Sequence, residues 1–358
     1  MTAASRFDAP RVAAIDRAIE SAIAQRKLPG AAYHLEQGGA VHARGYGRLA
    51  YDADAASVTP ATVFDAASLT KVMATAPSVL ILAQEGKIDL AAPFTRYLPE
   101  CGGGARDAIT VRQLLTHSSA LPAGLPGKPA WHGEAAALAL ACRQTPTATP
   151  GTAFRYSDIN YILLGLLVQR VAQMPLDRFA NARIFAPLGM ADTGYLPLAR
   201  TDAARIAPTG GPVGMVHDPS ARRMGGVAGS AGVFSTVGDM ARFARMLLAG
   251  GVHDGVRILD EDSVRLLTTV QSPPGLALRG MGMDIDSPFA QRPRGKLFPV
   301  GSYGHTGFTG CILWVDPHSR SFYVFLSNRV YPDERSDILG LYAELGTLSA
   351  QAVLAAHQ

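Results

Sequence analysis

Apolar positions along this chain follow two rhythms, one helical and one alternating, and the rhythm changes twice. Near the start, Ala13, Ile15, Ile19 and Ile23 recur at helical spacing, which predicts an amphipathic helix over about residues 8–25. Ala31–Glu36 and Ala40–Gly47 read as strands joined through Gly38-Gly39, a hairpin signal. From Ser68 to Gln84 the pattern is helical, with Ser68 at the N-terminal position and Gly86 closing the segment. Lys87–Leu90 and Pro93–Leu98 form a short connection. Helices follow at Thr110–His117 behind a threonine cap, at Glu134–Arg143, at Asp158–Ala172 after Pro150-Gly151, and at Leu176–Phe185. Residues 200–236 carry many glycines and little period, so they read as a long loop. Gly238–Leu248 and Asp260–Leu267 are again helical. Strand character returns at Gly280–Asp284, Cys311–Asp316 and Phe322–Ser327, and Ser336–Ala355 reads as a final helix.

Strands therefore sit near both ends and helices fill the middle. The economical fold class is α+β: an antiparallel sheet built from both chain ends, flanked by the terminal helices, with a mainly helical region inserted. The sheet domain takes residues 1–60 and 270–358, and the helical region takes 61–269. A cleft between them is the expected place for a site.

Composition narrows the function classes. The chain has 358 residues, 48% hydrophobic and 17% charged, the balance of a globular protein. A net charge of +4 is spread over scattered arginines without a basic run, so no nucleic-acid partner is expected. The first 25 residues hold Asp8, Asp16 and Glu20 and lack the pattern of a signal peptide, and the apolar stretch Tyr161–Val168 is too short to span a bilayer. The three cysteines, Cys101, Cys142 and Cys311, have no metal spacing, and their odd number fits a reducing compartment. The expectation is a cytoplasmic protein with no membrane partner. No surface helix is apolar enough to announce an oligomer interface, and the oligomeric state stays open.

Three short stretches carry candidate chemistry. Ser68 and Lys71 lie three residues apart, on one face of a helix, where an amine can take a serine proton if its surroundings lower its pKa. With 20 serines and five lysines, chance gives roughly 0.3 such Ser-x-x-Lys pairs, so alone this one reads equally as a cap beside an exposed lysine. Tyr156, ahead of Ser157 and Asp158, is either a proton carrier or a half-buried aromatic. His305-Thr306-Gly307 offers a strand edge for a substrate backbone and amides for an oxyanion, or else an ordinary turn. A rival nucleophile is Ser230 in Ala228-Gly229-Ser230-Ala231-Gly232, but an elbow needs a strand before it, and the preceding segment is Gly-rich. Gly102-Gly103-Gly104 lacks the residues of a phosphate loop, and no His-Glu-x-x-His run predicts a catalytic metal. No cofactor is expected.

In combination, these stretches resemble the serine β-lactamase and penicillin-binding-protein-like superfamily. The match is closest to its class C branch, with D-alanyl-D-alanine carboxypeptidases and family VIII esterases. Supporting stretches are Phe64–Lys71, Gln113–Ser119, Pro150–Ser157, Gly225–Gly229 and Gly304–Gly310, so the resemblance covers about residues 10–356. It implies a β-lactamase/transpeptidase-like fold and a serine hydrolase working through an acyl-enzyme. It implies Ser68 as nucleophile, Lys71 assisting its deprotonation and Tyr156 relaying the proton to the leaving group. It further implies the amides of Ser68 and Phe308 as the oxyanion hole, and Asp158, His305, Thr306 and Gly307 around the substrate, with His305 and Thr306 on its acyl side.

Two residues depart from the pattern of strong β-lactamases. Asp158 stands where the family usually has Asn; an ionised carboxylate cannot donate to a substrate amide oxygen, and it raises the pKa of a neighbouring lysine. His305 stands where lysine is common, and a neutral imidazole attracts a carboxylate less. The expected substrates are therefore small esters, with D-amino-acid peptides or amides the alternative and β-lactam turnover slow or absent. A reading from another class is a non-catalytic scaffold that kept the fold.

Overall fold

The computed structural model describes residues 7–354. Helix α1 (Ala9–Ala24) leads into strands β1 (Gly30–Gln37) and β2 (Ala40–Gly47). Gln37 pairs with Ala40, so Gly38 and Gly39 form the expected two-residue turn, both at positive φ. After β3 (Phe64–Asp65), a helical segment starts at Leu69 and ends as α2 (Ala76–Gln84). Between them Lys71–Thr75 form a π-turn. Pro77 is the physical reason, because its missing N–H and its ring break the ordinary ladder one turn back.

The middle of the chain is α3 (Val111–Leu115), α4 (Glu134–Cys142), α5 (Asp158–Ala172) and α6 (Leu176–Ala180), which runs on as a second π-turn to Phe185. Thr110 and Gln113 close a reciprocal capping box on α3. Then come β4 (Gly194–Tyr195), α7 (Pro219–Arg223), β5 (Val233–Ser235), α8 (Val237–Leu248), a hairpin of β6 (Val252–His253) and β7 (Val256–Arg257), and α9 (Glu261–Thr268). The chain finishes with β8 (Leu278–Arg279), β9 (Asp284–Asp286), β10 (Tyr303–Gly307), β11 (Cys311–Asp316), β12 (Ser321–Ser327) and α10 (Leu339–Leu354).

Strands from both chain ends form one antiparallel sheet, in the order β2-β1-β12-β11-β10-β9-β8. Alternation along β11 sends Ile312 and Trp314 to a core shared with α1 and α10, and Leu313 and Val315 to the larger core on the opposite face. That larger core is continuous through α2 and α5, so sheet and helices are packed as one body. Among the described residues no single helix is long and apolar enough to cross a bilayer.

Four expectations need correction. Residues 200–236 are not all loop: Asp218 caps α7, and β5 is the central strand of a small sheet β3-β5-β4. Of the expected strand Gly280–Asp284, only Asp284 is in a strand, at the start of β9; residues 280–283 are the turn between β8 and β9. Gly282 has φ +126°, and a Cβ on Gly280 would lie 2.1 Å from the Leu267 carbonyl oxygen. The last helix begins at Leu339, and Ala355 lies outside the described residues. Finally, Cys101 and Cys142 are disulfide-bonded, leaving Cys311 as the free, buried thiol. The two partners are 41 residues apart and meet only because α4 packs against the short helical turn at Pro99–Cys101.

A cross-link closing a loop of that length restricts the unfolded chain. Cys142→Ser, or reduction with dithiothreitol, is expected to lower unfolding stability in a urea titration by about 3–4 kcal/mol.

Candidate active site

The site is assembled around Lys71, which is 1% exposed. Its Nζ donates to Ser68 Oγ at 2.9 Å and to the Ser230 carbonyl oxygen at 2.9 Å, and it pairs with Asp158 Oδ1 at 2.7 Å. The Tyr156 ring centroid lies 5.1 Å from Nζ. An ammonium has three N–H bonds, and the Ser68, Ser230 and Asp158 oxygens surround them. Burial alone pushes the Lys71 amine down, but the charges and hydrogen bonds of Asp158 and Tyr156 outweigh it and hold the amine above the usual lysine range. The resting lysine is thus an ammonium that donates to the serine.

Local structure explains each position. Ala67 sits at φ +46°, a costly conformation for a residue with a Cβ. The Asp65 side chain supports it by accepting the Ala67 N–H at 2.8 Å. The other Asp65 oxygen accepts the His217 N–H at 2.7 Å, and the Asp65 carbonyl accepts the Thr309 hydroxyl at 2.6 Å. One buried carboxyl residue therefore ties together the serine turn, the segment before α7 and the turn after β10. Burial pushes its pKa up to about 6, against the pull of those two amides.

The loop carrying Ser230 reaches Lys71 because two glycines touch. A Cβ on Gly229 would lie 2.0 Å from the Tyr161 carbonyl oxygen and 3.0 Å from Gly165 of α5. Thr75 adds a 2.7 Å hydrogen bond to the Gly229 carbonyl. Ser230 itself is 1% exposed, is followed by β5 instead of a helix, and offers its backbone to Lys71. The elbow requirement fails, and Ser230 is a support for the lysine.

Tyr156 is held by His117. The His117 ring packs 4.5 Å from the Tyr156 ring, and its Nδ1 accepts the Ser157 N–H at 3.1 Å. Burial, with the Arg279 and Lys71 charges, drives the His117 pKa well down, so the ring is neutral and that acceptor persists. On the other side Tyr156 lies 5.4 Å from Phe289 and 5.8 Å from His305. His305 is also neutral, lowered by burial and by the same two cations, and its Nδ1 is 2.7 Å from the Thr306 carbonyl oxygen.

Strand β10 ends at Gly307, where a Cβ would lie 2.6 Å from the Ala66 carbonyl oxygen; only glycine lets the strand approach the serine turn so closely. Beyond Gly304, which pairs with Asp284, β10 has no strand partner on its outer side among the described residues. The edge from His305 to Gly307 is therefore open to the cavity. Among the described residues, the N–H groups of Ser68 and Phe308 have no internal acceptor, the condition for an oxyanion hole. Phe308 is braced by His217, stacked at 5.6 Å, and by Arg329, whose guanidinium lies 4.3 Å from the ring and donates to the Phe308 carbonyl at 2.8 Å. All of this opens onto one cavity of about 740 Å³.

The structure thus brings together Ser68, Lys71, Tyr156, Asp158, His305, Thr306, Gly307 and Phe308. Sequence reasoning missed Asp65, His117, Arg279, Phe289 and Arg329, although Asp65 and His117 fall inside motif stretches already singled out. Arg279, Phe289 and Arg329 lie in segments with no motif, and only the packing places them here. Among the described residues no three His, Cys, Asp or Glu side chains are grouped to hold a metal ion.

A serine and lysine on one helix, a tyrosine ahead of a second helix and an open strand edge define a serine hydrolase of peptidase or esterase type. The chain belongs to the Beta-lactamase family, which it matches over residues 15–346. It is 32% identical to an Escherichia coli (strain K12) protein named "Putative D-alanyl-D-alanine carboxypeptidase", over 76% of this chain and 70% of that one. The fold is also that of EstCE1, a hydrolase with promiscuous acyltransferase activity. That similarity has TM-score 0.75 and 20% identity, over 96% of this chain and 98% of the other. D-amino acid amidase from Ochrobactrum anthropi SV3 matches with TM-score 0.75 and 21% identity, over 98% of this chain and 100% of that one.

The two neutral histidines give a pH signature. Their folded pKa values lie below the ordinary 6.5, so the unfolded state binds the extra protons first. The stability they contribute is complete above pH 6.5 and is lost as pH falls below it. Asp65, raised from 3.8 to about 6, has the opposite sign: its contribution is complete below 3.8 and is lost as pH rises toward 6. Urea titrations between pH 7 and pH 5 should therefore show falling stability. The His117→Gln variant should show a slope smaller by up to about 1.4 kcal/mol per pH unit.

Proposed function

We propose that this protein hydrolyses small esters through an acyl-enzyme on Ser68, with weak or no β-lactamase activity. The observation that carries the reading is the 2.9 Å contact of Lys71 Nζ with Ser68 Oγ at the open cavity. Lys71 donates in this contact, so it accepts the serine proton only after passing one of its own to the Asp158 carboxylate. Lys71 and Asp158 then act as one coupled base. Ser68 Oγ attacks the carbonyl carbon, and the charge on the carbonyl oxygen meets the amides of Ser68 and Phe308. Tyr156 gives its phenol proton to the leaving oxygen and regains one from the Lys71 ammonium, the alcohol departs, and water repeats the sequence on the acyl-enzyme.

Asp158 supports esters over amides. Paired with Lys71, it has no N–H to offer an amide carbonyl, and an alcohol leaves more readily than an amine. A second reading, a D-amino-acid peptidase or amidase, is favoured by the open edge of β10, which suits an extended peptide backbone. The Cys101–Cys142 bond supports an oxidising compartment in place of the cytoplasm expected from the cysteine count.

The test is p-nitrophenyl butyrate hydrolysis by the wild type and by Ser68→Ala, with nitrocefin and the matched p-nitroanilide in parallel. The expected result is a loss in kcat/KM on the order of 10³ or more in the variant, with anilide and nitrocefin turnover well below that of the ester. Equal turnover in both proteins would remove Ser68 as nucleophile. Anilide turnover above ester turnover would favour the peptidase reading. A scaffold without chemistry would leave Ser68 unlabelled by a serine-reactive fluorophosphonate.

A further inference from the structure

The cavity continues past Ser68 around the free edge of β10. In register, Thr306 faces the same side as Ile312, and Gly304 the same side as Trp314, which is the side covered by α10. There the cavity becomes a chamber walled by Phe289, Pro293, Trp314, Ile338, Leu339 and Tyr342. The polar tips of the two largest walls point away into the protein: the Trp314 indole donates to Ser302 Oγ at 3.1 Å, and the Tyr342 hydroxyl to the Gly307 carbonyl at 3.3 Å. The faces these walls turn to the space are apolar, with Glu334, Arg335, Ser336 and Asp337 lining the cavity beside them. A cavity of about 740 Å³ has the size that encloses a drug-sized ligand, far more than an acetyl group needs.

Charge narrows the occupant further. Three arginines line the cavity, and each has an acidic or carbonyl partner. Arg279, fully buried, lies 3.2 Å from Asp284 and donates through Nη2 to the Gly282 carbonyl at 2.9 Å, while its Nε and Nη1 have no hydrogen-bond partner among the described residues. Arg329 is stacked on Phe308 and donates to the carbonyls of Phe308 and Ser336. Arg335 is paired with Asp333 at 2.6 Å. Lys71 is paired with Asp158, and Asp218 and Asp337 add negative charge to the rim. Five carboxylates, those of Asp158, Asp218, Asp284, Glu334 and Asp337, line the cavity against three guanidiniums, so on balance the lining repels a substrate carboxylate.

We propose that the site selects neutral substrates carrying an extended apolar chain, and discriminates against the same chain ended by a carboxylate. The chamber past Thr306 holds the chain. This rests on the acyl-enzyme reading above and adds the substrate class to it. It also separates this chain from a carboxypeptidase, whose substrate ends in a carboxylate by definition.

The experiment measures kcat/KM for p-nitrophenyl acetate, butyrate, hexanoate and octanoate, and for the p-nitrophenyl monoester of adipic acid. Ethyl and hexyl acetate, followed by pH-stat, show which half of the ester enters the chamber. A fluorophosphonate label on Ser68 is read by mass in parallel. Each methylene that enters an apolar wall is worth about fourfold. The expected result is at least a tenfold rise along one of the two series and at least tenfold slower turnover of the adipate than of the hexanoate. Leu339→Trp, which fills the chamber mouth, should flatten the rise; Phe289→Trp serves the same purpose if that variant does not fold. Flat series in both halves, or adipate turned over as fast as hexanoate, with Ser68 labelled and acetate consumed, overturns the inference and leaves acyl transfer standing. No label and no turnover removes both.

Discussion

A buried ammonium is the constraint on which the rest of this structure depends. Moving a charged amine out of water costs several kcal/mol unless oppositely charged and hydrogen-bonding groups replace the solvent. Lys71 obtains those groups from separate parts of the chain: Ser68 from its own helix, Asp158 and Tyr156 from the start of α5, and the Ser230 carbonyl from the loop before β5. Each supplier must then be held to within a few tenths of an ångström. The contact of Gly229 with Gly165, the hold of His117 on Ser157 and the π-turn at Lys71–Thr75 all meet that demand. The same network orders the serine, so the packing that buries the lysine also builds the candidate nucleophile.

Periodic segments were the legible part of the sequence. Asp158–Ala172 has the bounds expected of it, because the preceding turn, the acidic first residue and the apolar run agree. The hairpin at Gly38-Gly39 was equally plain, since its turn needs positive φ at both positions. The candidate site residues stood out as motifs because chemistry demands particular side chains at particular spacings, and the structure brings them to one cavity. What stayed hidden depends on distant contacts. Strand β5 is three residues long and is defined by β3 and β4 on either side of it, neither near in sequence. The apparent strand at Gly280–Asp284 is broken by close approach of Leu267, which no local pattern reports. The Cys101–Cys142 pair is likewise a product of packing.

Two departures from the family pattern act together. Asp158 keeps Lys71 charged and removes an amide donor, while the neutral His305 removes a cation that a carboxylate would seek. On the proposed function, both move the site away from ionic substrate recognition, in line with the apolar residues on the α10 side of the cavity. The neighbours in this fold include a hydrolase with promiscuous acyltransferase activity and a D-amino acid amidase, so the proposed function of this chain rests on its site and not on the fold.

The state of Lys71 is therefore the property to measure. The protein has five lysines, few enough for ¹³Cε-lysine labelling and an NMR pH titration of each resonance. The account predicts that Lys71 keeps the ammonium chemical shift to higher pH than the other lysines, and that Asp158→Asn moves its titration down. A Lys71 resonance that loses its proton below the ordinary lysine value of ~10.4, or one unmoved by Asp158→Asn, would contradict it.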